Sequence, residues 1–198
     1  MINMAAIGGC FLSWLHGAGT LLLHHPLDLE VYLRQIAIER PQYAIAPPAV
    51  LNMLIRDERL LASVDLSSLR CLYSGGAPLP TWIAQIYQRR GLVFKQGYGM
   101  TEVGVNCFTM TVAESVAKLG SIGKPLMHTE VRLAGVDGLD VAAADVGEMW
   151  FRGPHVSPGY WNRPEATAAS YRSDGWFRSG DLARRDDDGF FYIAGRAK

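Results

Sequence analysis

Apolar positions in the first half of the chain alternate between helical spacings and short continuous runs. Leu29, Leu33, Ile36 and Ala37 fall on one face of a helix that Asp28 starts and Pro41 ends. Tyr43-Ala44-Ile45-Ala46 then reads as a short strand stopped by Pro47-Pro48, and Val50 to Ile55 reads as helix again. Arg70 to Ser74 predicts a further strand, ending at Gly75-Gly76. Pro80 suits a first helical turn and opens a helix over Thr81 to Arg90, with Leu92-Val93-Phe94-Lys95 as the strand that follows. Apolar strands alternating with helices predict an α/β layer with a largely parallel sheet and flanking helices.

The pattern changes near Ala113. Thr129-Glu130-Val131-Arg132-Leu133 alternates with period two, Gly147 to Arg152 is strand-like, and Phe190-Phe191-Tyr192-Ile193 follows an Asp188-Gly189 turn. These segments predict an antiparallel, β-rich unit after the α/β part, giving an α/β subdomain over 1–113 and a β-rich subdomain over 114–195. Asp186-Asp187-Asp188 reads as a solvated turn, and Trp150, Trp161 and Trp176 as packing within the β-rich part.

Met1 to Leu23 carries no Asp, Glu, Lys or Arg and is long enough to resemble a membrane span. Gly8, Gly9, Gly17 and Gly19 punctuate it, His16 interrupts it, and no basic residues flank its start, so no integral membrane segment and no secretory signal are expected. A core helix ending near His16 and a buried strand Thr20-Leu21-Leu22-Leu23 fit better. A core helix at the first residue suggests that the natural chain begins upstream.

Composition narrows the function classes. With 198 residues, 49% of them hydrophobic, the chain can bury a core. Nineteen basic residues balance nineteen acidic ones, so no global field draws nucleic acid or an anionic membrane. Cys10, Cys71 and Cys107 are odd in number and far apart, which argues against a disulfide framework or a zinc site and fits a reducing cytoplasm. The five histidines, His16, His24, His25, His128 and His155, have no metal-ligand spacing and read as polar or core residues.

Two glycine-rich turns stand where ligands bind in open α/β sheets, beyond the carboxyl ends of strands: Ser74-Gly75-Gly76-Ala77-Pro78 and Gly97-Tyr98-Gly99-Met100-Thr101. Glycines allow close approach to a ligand, an aromatic face can stack on a base, a threonine can donate to phosphate, and a glutamate offers the hard oxygen that Mg²⁺ prefers. The alternative reading is a strand ending in a turn, with Tyr98 as ordinary packing. Farther along, Asp181 in Ser179-Gly180-Asp181-Leu182 could accept from ribose hydroxyls, and Arg196 in Gly195-Arg196 could hold ribose or phosphate oxygens. No GxxxxGK[ST], GxGxxG or GxSxG motif occurs, which leaves dehydrogenase and serine hydrolase chemistry without support.

Six segments nevertheless occur in a familiar order: Tyr73-Ser74-Gly75-Gly76-Ala77-Pro78-Leu79, Gln96-Gly97-Tyr98-Gly99-Met100-Thr101-Glu102, Gly120-Ser121-Ile122-Gly123-Lys124-Pro125, Gly147-Glu148 through Gly159-Tyr160-Trp161, Gly175 to Asp181, and Gly195-Arg196. In this the chain resembles the AMP-forming acyl-CoA synthetases of the adenylate-forming superfamily over nearly its whole length. The resemblance implies the second α/β subdomain of that fold followed by a small distorted β-barrel. It implies that Gly75, Gly76 and Ala77 line the adenine and the acyl or pantetheine channel. Tyr98, between Gly97 and Gly99, would stack on adenine, Thr101 would bind the α-phosphate, Glu102 would ligate Mg²⁺, and Asp181 with Arg196 would hold the ribose. Residues around Ala46-Pro47-Pro48 and Tyr73 to Ala77 would line the pocket for a fatty or other hydrophobic carboxylic acid. ATP, Mg²⁺ and coenzyme A are the implied cofactors and substrates.

Departures from the family pattern qualify that expectation. The family's Ser/Thr/Gly-rich phosphate loop and its C-terminal lysine have no counterpart in residues 1–198, and Lys198 falls at the hinge position, so 196–198 would begin a hinge. The resemblance therefore implies an internal segment, without the N-terminal subdomain and C-terminal domain of its parent, that does not turn over by itself. Amino-acid adenylation domains, luciferase-like enzymes and a non-catalytic adenylate- or acyl-binding remnant are the alternatives.

Overall fold

The computed structural model describes residues 19–20, 28–77, 79–142 and 144–197. The apolar segment 1–23 apart from residues 19 and 20, Cys10, His16, His24, His25, Pro78 and Lys198 lie outside them. In chain order the elements are α1 (Leu29–Glu39), β1 (Tyr43–Ile45), α2 (Pro48–Arg56), α3 (Glu58–Ala62), β2 (Cys71–Ser74), α4 (Thr81–Arg89) and β3 (Phe94–Gln96). There follow β4 (Phe108–Thr109), α5 (Val112–Ala117), β5 (Lys124–Pro125), β6 (Glu130–Ala134), β7 (Gly147–Arg152), α6 (Pro164–Ser170), β8 (Phe177–Arg185) and β9 (Phe191–Arg196). Two compact units result, one of the described residues up to Gly97 with Thr111–Gly120, the other of Tyr98–Met110 with the described residues from Ser121 on.

The first unit is the expected α/β layer. Its sheet has the order β1-β2-β3 and both pairs are parallel, in register Ala44 with Leu72 and Leu72 with Phe94. α1 begins where expected because the Asp28 side chain accepts from Val31 N–H at 2.9 Å, and it ends as Arg40 turns left-handed at φ 48° ahead of Pro41. Leu33, Leu51, Leu54, Leu72, Ile83, Tyr87 and Phe94 are buried in one core. Tyr87 places its ring there and satisfies its hydroxyl on the Leu51 carbonyl at 3.0 Å.

Two boundaries move for local reasons. Pro48 does not simply stop a strand: it occupies the first turn of α2, where its missing N–H costs nothing. The third strand starts at Phe94 rather than Leu92, because the Leu92 N–H closes the end of α4 on the Tyr87 carbonyl at 3.2 Å. The short α5 was not anticipated, although Thr111 and Glu114 cap it reciprocally.

The second unit is antiparallel. β4 pairs with β5, and β6-β7-β8-β9 form a four-stranded meander. Phe108, Met149, Phe151, Phe177, Ala183 and Phe191 fill its core. On the other face of the meander Trp150 is buried under Arg132, Arg172 and Arg178, at 5.0, 4.8 and 5.7 Å, and Trp176 lies under Arg152 at 4.6 Å. Trp161 departs from the packing expected of it, being 89% exposed. The triple-aspartate turn is more than solvated, since Asp186 Oδ1 accepts from Phe190 N–H at 2.8 Å and so pins the β8–β9 hairpin. Among the described residues no helix is long and apolar enough to cross a membrane.

Candidate nucleotide site

In the second unit, β8 and β9 hold a carboxylate on the inward side of a sheet. Phe177, Ser179, Asp181 and Ala183 share the period-two face of β8, and three of these four are buried. A bulge aims Asp181: Trp150 pairs with Arg178 and Glu148 with Leu182, so three residues of β8 stand opposite one of β7. Gly180 takes φ 73° within that bulge, its N–H donating to Glu148 Oε1 at 3.0 Å. The buried Ser179 hydroxyl donates to the Met149 carbonyl at 2.7 Å and accepts from Asp181 N–H at 3.1 Å, which fixes the backbone that carries the carboxylate.

An inward carboxylate must be compensated. Tyr98 donates its hydroxyl to Asp181 Oδ2 at 2.7 Å, and Arg196 donates Nε to Oδ1 at 2.6 Å. Arg196 is the cross-strand partner of Asp181, so the pair follows from the register of β8 and β9. The Tyr98 phenol is raised far above its ordinary range, first by burial and then by the hydrogen bond and charge of Asp181. It stays a donor at all physiological pH. Asp181 likewise raises Arg196, to which Glu102 adds a smaller share. Tyr98 lays one ring face on Phe151 at 5.9 Å and 10°, with Phe108 edge-on at 5.8 Å.

The loop after Tyr98 is tight. Met100 N–H donates to the Gly104 carbonyl, Cys107 N–H to the Tyr98 carbonyl, and Cys107 Sγ to the Val103 carbonyl. A Cβ on Gly99 would lie 2.4 Å from the Gly104 oxygen and 2.8 Å from the Asn106 nitrogen, so only glycine fits without backbone movement. Thr101 is exposed at the tip and Glu102 half-buried beside it. Glu102 Oε1 accepts from the Tyr160 hydroxyl at 2.6 Å. Burial, and then this bond to Glu102, push the Tyr160 phenol up to about 12.

The expected residues thus divide. Tyr98, Asp181 and Arg196 are brought into direct contact, with Gly99, Thr101 and Glu102 on the loop that carries Tyr98. Gly75, Gly76, Ala77 and Gly97 belong to the first unit, at the carboxyl ends of β2 and β3. There Gly97 N–H donates to the Ser74 carbonyl at 2.8 Å, and a Cβ on Gly75 would meet the Gly97 oxygen at 3.2 Å. Sequence reasoning missed Ser179 as the backbone anchor and Tyr160 as the partner of Glu102. Both stood inside quoted motifs, with no feature of their spacing to mark a partner.

The oxygens present suit a magnesium ion that arrives with phosphates. Mg²⁺ takes one or two carboxylates and completes its shell with phosphate and water, and the described residues hold no cluster of three His, Cys, Asp or Glu that would bind a softer or fully caged ion. Glu102 offers one carboxylate whose Oε2 has no hydrogen-bond partner among the described residues.

Over all 198 residues the chain is 42% identical to a feruloyl-CoA synthase from Amycolatopsis sp, of which it covers 40%. It superposes with a TM-score of 0.83 and 30% identity on the O-succinylbenzoate coenzyme A synthetase of Bacillus subtilis in complex with AMP, covering 98% of this chain and 39% of that one. The same enzyme in complex with ATP and magnesium ion gives a TM-score of 0.83, with 40% of that chain covered. The chain therefore spans about 40% of the length of these relatives. Residues 1–161 match the family whose members are AMP-binding enzymes, and the chain belongs to that family.

Proposed function

We propose that this chain supplies adenylate-handling machinery of an ATP-dependent, AMP-forming acyl-CoA synthetase acting on a fatty or other hydrophobic carboxylic acid. One observation carries the reading: Asp181 is turned inward, with Tyr98 and Arg196 each tying one of its oxygens, in a unit that also presents Glu102. A carboxylate so fixed suits vicinal hydroxyls, which donate to it in pairs, and a neighbouring guanidinium suits ribose or phosphate oxygens. Adenine would stack on the face of Tyr98 that Phe151 does not cover, and Thr101 would donate to the α-phosphate. Mg²⁺ bound with the triphosphate would offset charge on the transferring phosphorus. Gly75, Gly76 and Ala77 would line the adenine and the acyl or pantetheine channel.

In this reaction a substrate carboxylate oxygen bonds to the α-phosphorus of ATP as the bond to pyrophosphate breaks. The thiol of coenzyme A then attacks the acyl carbon, AMP leaves and a thioester remains. The residues named here orient and neutralise and form no covalent bond with substrate, so their contribution is to charge and geometry in the transition state. The reading assigns the remaining groups, a phosphate loop and a lysine, to segments outside residues 1–198, and expects no turnover from these residues alone.

A chimera tests this. Residues 1–198 replace the matching 40% of the Amycolatopsis feruloyl-CoA synthase, and the product is assayed with ATP, coenzyme A and panels of aryl, fatty and amino acids. The expected outcome is pyrophosphate release and a thioester from a hydrophobic acid by the chimera, and none from the 198-residue chain. A correctly folded chimera without acid-dependent pyrophosphate exchange sinks the reading. So does thioester formation by the chain alone, as regards the division of labour.

A further inference from the structure

The loop between β7 and α6 grips Glu102 at two points. Ser157 N–H donates to the Glu102 carbonyl at 2.8 Å, and the Tyr160 hydroxyl donates to its Oε1 at 2.6 Å, within the short range of a charge-assisted O–H···O⁻ bond. Tyr160 is itself held. Its N–H donates to Thr167 Oγ1 at 2.9 Å, its ring meets that of Tyr171 edge-on at 5.8 Å and 78°, and the Tyr171 hydroxyl shares a 2.6 Å hydrogen bond with Ser157. Gly159 brings the chain so close to α6 that a Cβ there would sit 2.7 Å from Thr167 Cγ2. Thr167 in turn donates to the Arg163 carbonyl at the start of α6. The result is a braced phenol pointed at one oxygen of one carboxylate.

We propose that Tyr160 is a positioning residue for Glu102, holding Oε1 so that Oε2 alone is presented to the divalent cation of a metal–nucleoside triphosphate. The proposal rests on the nucleotide reading given above. Mg²⁺ demands near-ideal octahedral geometry and is poorly served by a carboxylate free to swing between one- and two-oxygen binding. A hydrogen bond to one oxygen fixes the mode, and it fixes the rotamer before the metal arrives. A phenol suits this task better than a lysine or arginine. It donates a hydrogen bond without placing a positive charge beside the carboxylate, so the negative charge that attracts the cation is preserved. Nothing in the brace comes from a group that would itself ligate a metal in competition with Glu102, since Ser157, Thr167 and Tyr171 face Tyr160 or each other.

The test is a titration of Mn²⁺, a paramagnetic substitute for Mg²⁺, into the 198-residue chain with ATP, read by electron paramagnetic resonance. A parallel titration measures AMP in the absence of metal. Tyr160→Phe keeps the ring and its Tyr171 contact, and its apparent Mn²⁺ affinity is expected to fall by about 10-fold, the low end for loss of a group that orients a metal ligand. AMP affinity and melting temperature are expected to stay close to wild type. Glu102→Gln keeps an acceptor for the phenol but loses the charge, and it is expected to lose Mn²⁺ while retaining AMP. Wild-type Mn²⁺ affinity in Tyr160→Phe, or equal losses of AMP and Mn²⁺, would overturn the positioning role and leave the nucleotide reading intact. Failure of the wild-type chain to bind either AMP or Mn²⁺–ATP would overturn both.

Discussion

Replacing Asp181 with alanine is expected to weaken AMP binding by about 100-fold, near 3 kcal/mol, because the two ribose hydroxyls proposed to bind there would lose a charged acceptor. The same change removes the shared partner of Tyr98 and Arg196. Arg196 is largely exposed and can turn to water, so most of the structural cost falls on the half-buried Tyr98 hydroxyl, at about 1–3 kcal/mol for a donor left without its acceptor. A spectroscopic readout separates this from general unfolding. Burial is the first cause of the raised Tyr98 phenol, and Asp181 supplies the next two. In the variant the phenol should titrate lower than in wild type yet above an ordinary tyrosine, as followed by NMR of ring-labelled tyrosine. Calorimetric titration of AMP gives the affinity. An affinity equal to that of wild type, in a variant whose Tyr98 has shifted as expected, contradicts the ribose assignment.

Gly99→Ala is the second large effect, and it acts on the loop rather than on the ligand. The added methyl would lie 2.4 Å from the Gly104 oxygen, 2.8 Å from the Asn106 nitrogen and 2.9 Å from the Val105 Cα, all of them backbone atoms that no rotamer change can clear. The Met100–Gly104 bridge must therefore open. A cost of about 3 kcal/mol is expected, the upper end of the range for overpacking. In a protein of this size that lowers the melting temperature by roughly 6–12 °C. Because Tyr98 precedes the residue and Thr101 follows two positions later, AMP affinity should fall in the same variant even at temperatures where it is folded. A melting curve superimposable on that of wild type would show that the loop has room the geometry does not provide.

The parts of this molecule that sequence reasoning reached, and the parts it missed, differ in where their side chains point. α1 was legible because one apolar face, an aspartate cap and a proline all agreed, and each is a local property. β2 was legible as a short apolar run because the central strand of a parallel sheet is covered on both faces. β8 was passed over as a strand although it is the longest among the described residues. Its inward face includes Ser179 and Asp181, and those polar residues break the alternation that marks a half-buried strand. The feature that hid the strand is the one that makes the site. α6 was missed because none of its residues is buried, which leaves no apolar stripe to read.

The site itself shows the same division. The identities of Tyr98, Thr101, Glu102, Asp181 and Arg196 stood out as residue types beside glycines. The Tyr98–Asp181 contact, which spans 83 residues, could not be read from either motif alone. Asp181 and Arg196 depend on the register of β8 and β9, which shifts between Leu182 and Ala183, while β8 also bulges against β7. The Tyr160–Glu102 bond, across 58 residues, depends on how the β7–α6 loop folds back, and no spacing rule encodes that.

A crystal structure of the 198-residue chain with AMP tests the central claim most directly. The account predicts ribose hydroxyls within hydrogen-bond distance of both Asp181 oxygens or of Asp181 and Arg196, with adenine against the face of Tyr98 opposite Phe151. AMP seated away from Asp181, with the Tyr98–Asp181–Arg196 contacts undisturbed, would contradict it.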